Sequence, residues 1–471
     1  FMDSIEVDGV SCRFSTAFDL NVWPLSVTDV RQAESATGKK SIEVNFTMNG
    51  LSISKMNSDS LQLHLGGDYH GAVELFYVLM NCVEKIELDY SGAAKPVNAK
   101  NIELTPVGFD DDQNLIGFPG NAFPSYRLIQ EYFILKEKFL FINLENIKQY
   151  LGQITASAFT IRFHLKESVT VLPKLSRERF ILHATPAVNL FKRDAESMLN
   201  DHKRSEYKLR PLRNQGNNFQ IYSVDKVVGQ SRRSGTQTDY SDIGLANPDL
   251  NTRPVYQLSH KAVENEGTQV FISFSYPRDF NLTNQETLAI ELTCSNGDYP
   301  SKLKPGDISK PTSSTSELMT FSNIIQPSDH QNVPTGSSML WRLLSHLSLN
   351  YLSLADTDNL KALLGLYIFS SNTGNRLEIA NRKRIEGVLK ITVKPCDELL
   401  KGIPMRGQKI NVRVNPANFA GLGDMYLFGV LLDRLFASFA SINCFTRFSL
   451  TDDATEEKYY WPARIGDRPL I

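Results

Sequence analysis

Alternation of apolar and polar positions dominates the first 180 residues. Ile42, Val44, Phe46 and Met48 alternate with polar partners, as do Leu61, Leu63 and Leu65, and then Phe159, Ile161, Phe163 and Leu165. A period of two is that of a half-buried strand, so this stretch predicts a β-rich region. Two helices are predicted to interrupt it. One lies between Asp68 and Val83, where Val73, Phe76, Met80 and Val83 share a face; a shorter one covers Ser125 to Phe133. Further strands are predicted near Phe219 to Val224, Val270 to Tyr276 and Leu288 to Cys294. Between them Gln230 to Gly267 is long and polar, and it reads as an excursion from the sheet that is a candidate partner-contact element.

The last quarter changes period. Ile410, Val412 and Val414 alternate with Asn411 and Arg413, then Asn415-Pro416 stops that strand and Gly421 and Gly423 supply a turn. Phe428, Leu431, Leu432, Leu435, Phe439 and Ile442 follow at spacings of three and four, which predicts one broad apolar helical face. Phe445, Phe448 and Leu450 open the next extended segment, so strand, helix and strand form a compact unit. Upstream, two helices are predicted from Leu340, Leu343, Leu344 and Leu347 and from Leu360, Leu363, Leu364 and Tyr367, and strands from Val388 to Val393 and Lys409 to Val414. Proline, serine, threonine and glycine concentrate between Pro300 and Ser338, which marks a linker or extended arm. The expected organisation is a strand-rich, multidomain α+β protein. Its segments are a β-rich domain at 1–180 with one or two helices, a second β-rich domain at 181–299, the linker at 300–338 and a C-terminal α+β domain at 339–471.

Six stretches stand out in order along the chain: Gly9-Val10-Ser11-Cys12-Arg13-Phe14 leading to Val22-Trp23-Pro24-Leu25; Pro106-Val107-Gly108-Phe109; Tyr126 to Phe133 leading to Lys138-Phe139-Leu140-Phe141; Phe180 to Phe191; Thr293-Cys294-Ser295-Asn296; and the run from Val414 to Asn443. In this order they resemble the TssF (ImpG) family of bacterial type VI secretion systems. Two departures stand out. The resemblance leads to the expectation of a mostly helical region ahead of residue 1, missing or undescribed where this sequence opens at Phe1-Met2, and Gly297 and Tyr299 stand where the family more often carries an arginine and a leucine. The resemblance implies a structural subunit of the baseplate wedge, similar to wedge proteins of contractile phage baseplates. It implies partnership with TssG, a second copy of TssF, TssK, TssE and the VgrG spike, and through them with the sheath and membrane complex. The implied location is the cytoplasm, at the cytoplasmic face of the inner membrane when assembled. The alternatives are a wedge protein of a related phage tail or tailocin, or a β-rich enzyme or carbohydrate-binding protein.

Composition bounds these readings without choosing among them. The chain has 471 residues, 41% of them hydrophobic, enough for several cores. Fifty basic and fifty-two acidic residues leave a net charge of -2, which gives no reason to expect a nucleic-acid partner. No run approaches the ~18 apolar residues that a spanning helix needs, so direct membrane insertion is not expected. The scattered, odd set Cys12, Cys82, Cys294, Cys396 and Cys444 reads as free thiols packed as small apolar groups in a reducing compartment.

Candidate chemistry is sparse. No phosphate-binding loop, dinucleotide fingerprint or nucleophile elbow occurs, so no catalytic, cofactor-binding or metal residue is assigned and no cofactor is expected. Asp110, Asp112 and Asn114 imitate the start of a calcium loop, but Leu115 and Asn121 stand where its glycine and glutamate belong. His64, Asp68 and His70 read as a strand residue and a helix cap rather than a metal site. The basic run Lys203, Arg204, Lys208, Arg210 and Arg213 reads as a solvated face. The partner-interface candidates are Tyr126, Arg127 and Glu131 on the second helix, and Asp433 and Arg434 inside the apolar one. Arg127 and Glu131 are four apart and suit a structural ion pair. Asp433 and Arg434 either occupy an exposed edge or pair across a subunit contact, the edge being favoured because it needs no partner.

Overall fold

A computed structural model describes residues 1–34, 38–93, 95–117, 123–169, 171–213, 218–231, 235–244, 253–263, 267–278, 280, 285–331, 355–369, 376–400 and 402–466. The helix expected around Leu340 to Leu347 lies outside these residues, as does the end of the expected linker. The chain divides into two compact units, each built from separated stretches. One comprises Phe1–Ala17, Ile116–Ala122 and Ala187–His330; the other comprises Phe18–Leu115, Phe123–Pro186 and Gln331–Ile471. The second unit thus draws on both the first and the last of the segments read from the sequence, and local pattern carries no signal of such a long-range union.

Among its described residues the first unit is strand apart from short turns. Val10–Thr16, Met2–Val7 and Ile308–Pro311 are neighbours in a four-stranded sheet with Ala187–Val188 at its far edge. The eight-stranded sheet follows the order Phe191–Asp194, Glu286–Ser295, Gln220–Ser231, Gln237–Asp242, Val255–Val263, Gly267–Ser275 and Tyr207–Lys208, with Met198–Asn200 also on Glu286–Ser295. Two expectations are corrected here. Gln230 to Gly267 is not an excursion, because Gln237–Asp242 and Val255–Val263 are strands inside the sheet. Their polarity follows from one-sided burial: in Gln237–Asp242 only Tyr240 is buried, so the solvated face leaves no apolar alternation to read. Nor is the described part of 300–331 a free linker, since Ile308–Pro311 pairs antiparallel with Met2–Val7 and Asn323 accepts from the Ile308 amide at 2.9 Å.

The second unit holds three sheets and the helices. Leu25–Glu34, Lys40–Met48, Ala158–Leu165, Val83–Tyr90 and Val97–Asn98 form one sheet in that order. Phe180–Ile181, Ser60–Leu65, Phe141–Glu145 and Glu103–Val107 form another. In the third, the long hairpin Val388–Leu400 and Ile403–Val414 is followed by Cys444–Asp452, parallel to the second hairpin strand, and then by Lys458–Tyr460. The helices among the described residues of this unit are α1 (Tyr69–Asn81), α2 (Pro124–Ile134), the single turn α3 (Lys148–Leu151), α4 (Thr357–Leu366), α5 (Arg376–Glu386) and α6 (Leu422–Ser438). Asp68 caps α1 by accepting the Gly71 amide at 2.8 Å, the role its position predicts. One apolar core runs from Leu25 through α1, α2, α4 and α6 to Trp461.

α6 is the parallel crossover from Ile403–Val414 to Cys444–Asp452, and it is buried on every side. Thirteen of its seventeen residues are buried, so it lies inside the core instead of resting one face on it. Gly423 makes this possible: a Cβ there would stand 2.2 Å from the Val73 carbonyl oxygen of α1. The helix ends at Ser438, and Ile442, expected on its apolar face, is exposed beyond it.

Candidate functional site

A buried helix start leaves amide donors that water cannot reach, and α6 fills this need from outside itself. The Gly423 amide donates to Glu74 Oε1 on α1 at 2.8 Å, and the Ala420 amide donates to Asp424 Oδ2 at 3.0 Å. Asp424 is fully buried. It also accepts from the Tyr69 hydroxyl at 2.6 Å and from Arg384 Nε of α5 at 2.9 Å. Arg384 Nη1 donates to Asn381 at 3.1 Å, and Asn381 Nδ2 donates to the Phe133 carbonyl at 2.9 Å. One connected network therefore joins α1, α2, α5 and α6.

The electrostatics suit an ion pair kept in the interior. Burial works against the Arg384 guanidinium, but Tyr132, Asp424 and Tyr69 together hold it charged, with its pKa above the ordinary value. Burial also raises the Tyr69 phenol well above its usual range, with Tyr132 and Asp424 adding to the effect, so it stays a donor to Asp424. Lys136 lies 3.6 Å over the Tyr69 ring, its pKa lowered first by burial and then by Arg384.

The candidates on α2 sit in a second network. Glu131 is buried and pairs with buried Lys138, and its Oε1 accepts the Leu115 amide at 2.8 Å. Burial lowers the Lys138 pKa, and Glu131 opposes that shift. Arg127 Nε stands 3.9 Å from Glu131, beyond hydrogen-bonding reach, while Arg127 Nη2 donates to Asp111 at 3.3 Å. Lys138 is therefore the first partner of Glu131, and the expected i,i+4 pair is only the second. Tyr126, half-buried, stacks on Tyr367, just past the end of α4, at 5.9 Å and meets Phe123 and Phe439 edge-on.

Asp433 and Arg434 are corrected. Asp433 has 0% exposure and pairs with Arg464 of the same chain at 2.5 Å, so it neither lies on an exposed edge nor awaits another subunit's charge. Arg434 Nη1 donates to Asp110 at 2.8 Å. α6 leaves only a little of Arg434 exposed, and its charges are answered by residues distant in sequence. Burial raises the Asp433 pKa, with Arg464 opposing, and lowers that of Arg434, first by desolvation and then by Arg464. Asp110, the first residue of the calcium-like run, and its neighbour Asp111 instead fasten that loop to Arg434 and Arg127.

Sequence reasoning missed Asp424, Arg384, Tyr69, Lys138 and Arg464. The available signal for Asp424 was the one that flagged Asp433, a charge within an apolar helical run. A depression of about 740 Å³ is lined by Asp68, His70, Glu74 and Arg179, all committed to structure: Arg179 pairs with Asp68, and His70 Nδ1 lies 2.7 Å from the Ala420 carbonyl. His64 is buried, 4.4 Å from the Phe141 ring, and the described residues hold no His, Cys, Asp and Glu cluster fit for a metal ion.

In the first unit, three of the six family-like stretches meet at one asparagine. Asn296 Oδ1 accepts from the Arg13 amide at 3.2 Å and from Asn189 Nδ2 at 2.8 Å, and the Asn296 amide donates back to Asn189 at 2.7 Å. Gly297 beside it has φ +57, and a Cβ there would lie 2.8 Å from Gln220, so the glycine suits this turn.

A sequence-family model described as type VI secretion system, TssF, matches residues 2–468. The chain belongs to the TssF family. It is therefore a component of the type VI secretion machinery. Type VI secretion system component TssF1 of Pseudomonas aeruginosa PAO1 is 25% identical over 98% of this chain and 80% of its own length. A chain of the TssK-TssF-TssG baseplate subcomplex shares the fold with a TM-score of 0.82 at 23% identity, over 99% of this chain and 87% of that one. A chain of another type VI baseplate complex aligns with a TM-score of 0.62 at 18% identity, over 100% and 82%. No helix among the described residues of this TssF-family chain is long and apolar enough to cross a membrane.

Proposed function

We propose that this chain is a wedge subunit of the type VI baseplate, and that its work is mechanical and not catalytic. The observation that carries the reading is the family match over residues 2–468. The interior supports it: Glu131, Asp424 and Asp433, the buried carboxylates among the described residues of the second unit's helices, are each paired with a cation, which makes them braces. Four helices tied by one buried network form a body able to transmit load without shearing.

In this proposal the chain assembles with TssG and TssK, with a second copy of itself around one TssG, and meets TssE and the VgrG spike beneath sheath and tube. It works in the cytoplasm at the face of the inner membrane. Arg127, Glu131 and Asp433 serve the interface indirectly by fixing α2 and α6, while Tyr126 and Arg434 retain enough exposure to touch a partner. Co-expression with TssG and TssK followed by affinity purification through this chain tests the proposal. Recovery of both supports it, and recovery of neither sinks it.

A further inference from the structure

A row of cations crosses the solvent-facing side of the C-terminal sheet. Lys394 stands in register opposite Lys409 across the hairpin, and Lys409 stands opposite Arg447 on the parallel strand. Adjacent strands are about 4.8 Å apart and opposed side chains share a face, so three positive heads emerge along one line. The other face carries Ile410 and Phe448 into the core, while Lys409 and Arg447 keep 53% and 41% of their side-chain surface exposed. Like charges directly opposite one another weaken a sheet.

One carboxylate answers the row: Glu398 lies 3.0 Å from Lys409 and 2.7 Å from Arg447. Among the described residues Lys394 has no ion pair, and Arg447 Nε is buried with no hydrogen-bond partner. On the same face Lys390 stands opposite Arg413, and Arg413 is taken by Asp453 and Glu456. Of the four cations Lys390, Lys394, Lys409 and Arg447 on this face, only Lys409 and Arg447 pair with a carboxylate among the described residues, and both use Glu398, which leaves a local excess of positive charge on a chain whose net charge is -2. A long polyanion fits poorly, because Asp453 and Glu456 close one end of the face and the cations span only three strands.

We propose that this face docks a carboxylate-bearing segment of a protein partner, its acidic side chains seated over Lys394, Lys409 and Arg447. The inference gives a surface to the assembly role proposed above and rests on it. Its test uses the full chain expressed with the rest of the secretion machinery, with the photo-cross-linker p-benzoylphenylalanine at position 390. The expected product is a cross-link to another protein chain at a peptide containing at least two Asp or Glu residues. Combining Lys394→Gln, Lys409→Gln and Arg447→Gln should cut that product at least tenfold, with the melting temperature unchanged or raised because the repulsion is gone. A cross-link to nucleic acid or lipid, no cross-link, an undiminished one in the triple variant, or a lowered melting temperature would each overturn the inference. Co-purification of TssG and TssK without the cross-link would overturn only the inference and leave the wedge reading standing.

Discussion

Replacing Asp424 by alanine removes one carboxylate and strands three donors. Arg384 Nε at 2.9 Å, the Tyr69 hydroxyl at 2.6 Å and the Ala420 amide at 3.0 Å all lose their acceptor. Arg384 is itself buried, so its charge becomes uncompensated in the core. Breaking a buried pair from one side costs about 3–5 kcal/mol, and the stranded hydroxyl adds to that without strict additivity. The remedy distinguishes the electrostatic cause from simple loss of packing. In Asp424→Ala combined with Arg384→Met the orphan charge is gone, and about 2 kcal/mol or more of the loss should return, because apolar replacement of a buried pair is often neutral. Hydrogen exchange read by mass spectrometry on peptides of α1 and α6 gives the local opening free energy. Less than about 1 kcal/mol lost in Asp424→Ala, or no recovery in the double variant, would refute the network as the brace of α6.

Other consequences follow from the same interior. His64 is held neutral by burial, which lowers its pKa from 6.5 to about 4. The unfolded chain therefore binds a proton that the folded chain refuses between those values, and stability falls as pH drops through that window, by about 3 kcal/mol at its foot. Urea unfolding of His64→Phe should show a flatter acid limb from pH 6.5 to 4, and an unchanged limb would remove His64 as its cause. Gly423→Ala should cost at least about 2 kcal/mol, since its methyl would meet the Val73 carbonyl at 2.2 Å, and thermal melting checks it. Tyr240→Phe removes the hydroxyl that donates to buried Glu286 at 2.6 Å and should cost about 1–3 kcal/mol; faster exchange should be confined to the first unit's large sheet.

Legibility in the sequence followed burial geometry. Strands such as Lys40–Met48 and Ala158–Leu165 alternate apolar and polar residues and were readable, and α1 announced its Asp68 cap and its buried Val73 and Phe76, whereas Met80 is only partly buried and Val83, expected on the same face, opens the next strand. Gln237–Asp242 buries a single side chain and gave nothing to read. α6 was readable as a helix, but its burial on all sides was not, because an apolar face and a fully apolar cylinder differ only in what packs around them. For the same reason Asp433 looked like an edge residue: Arg464, 31 positions away, is joined to it only by the fold. Asp424 was invisible as a hub because its donors come from residues 69, 384 and 420. The family-like stretches were readable throughout, and the match over residues 2–468 favours the type VI reading over a tailocin wedge or a β-rich enzyme.

The most direct test of the central claim is native mass spectrometry of this chain co-expressed with a TssG partner. The wedge reading predicts a discrete complex of two copies of this chain with one TssG, and poor solubility when the chain is made alone, since obligate interfaces of ~2,000 Å² or more expose apolar surface when unpaired. A stable, monodisperse monomer with no affinity for TssG would contradict it.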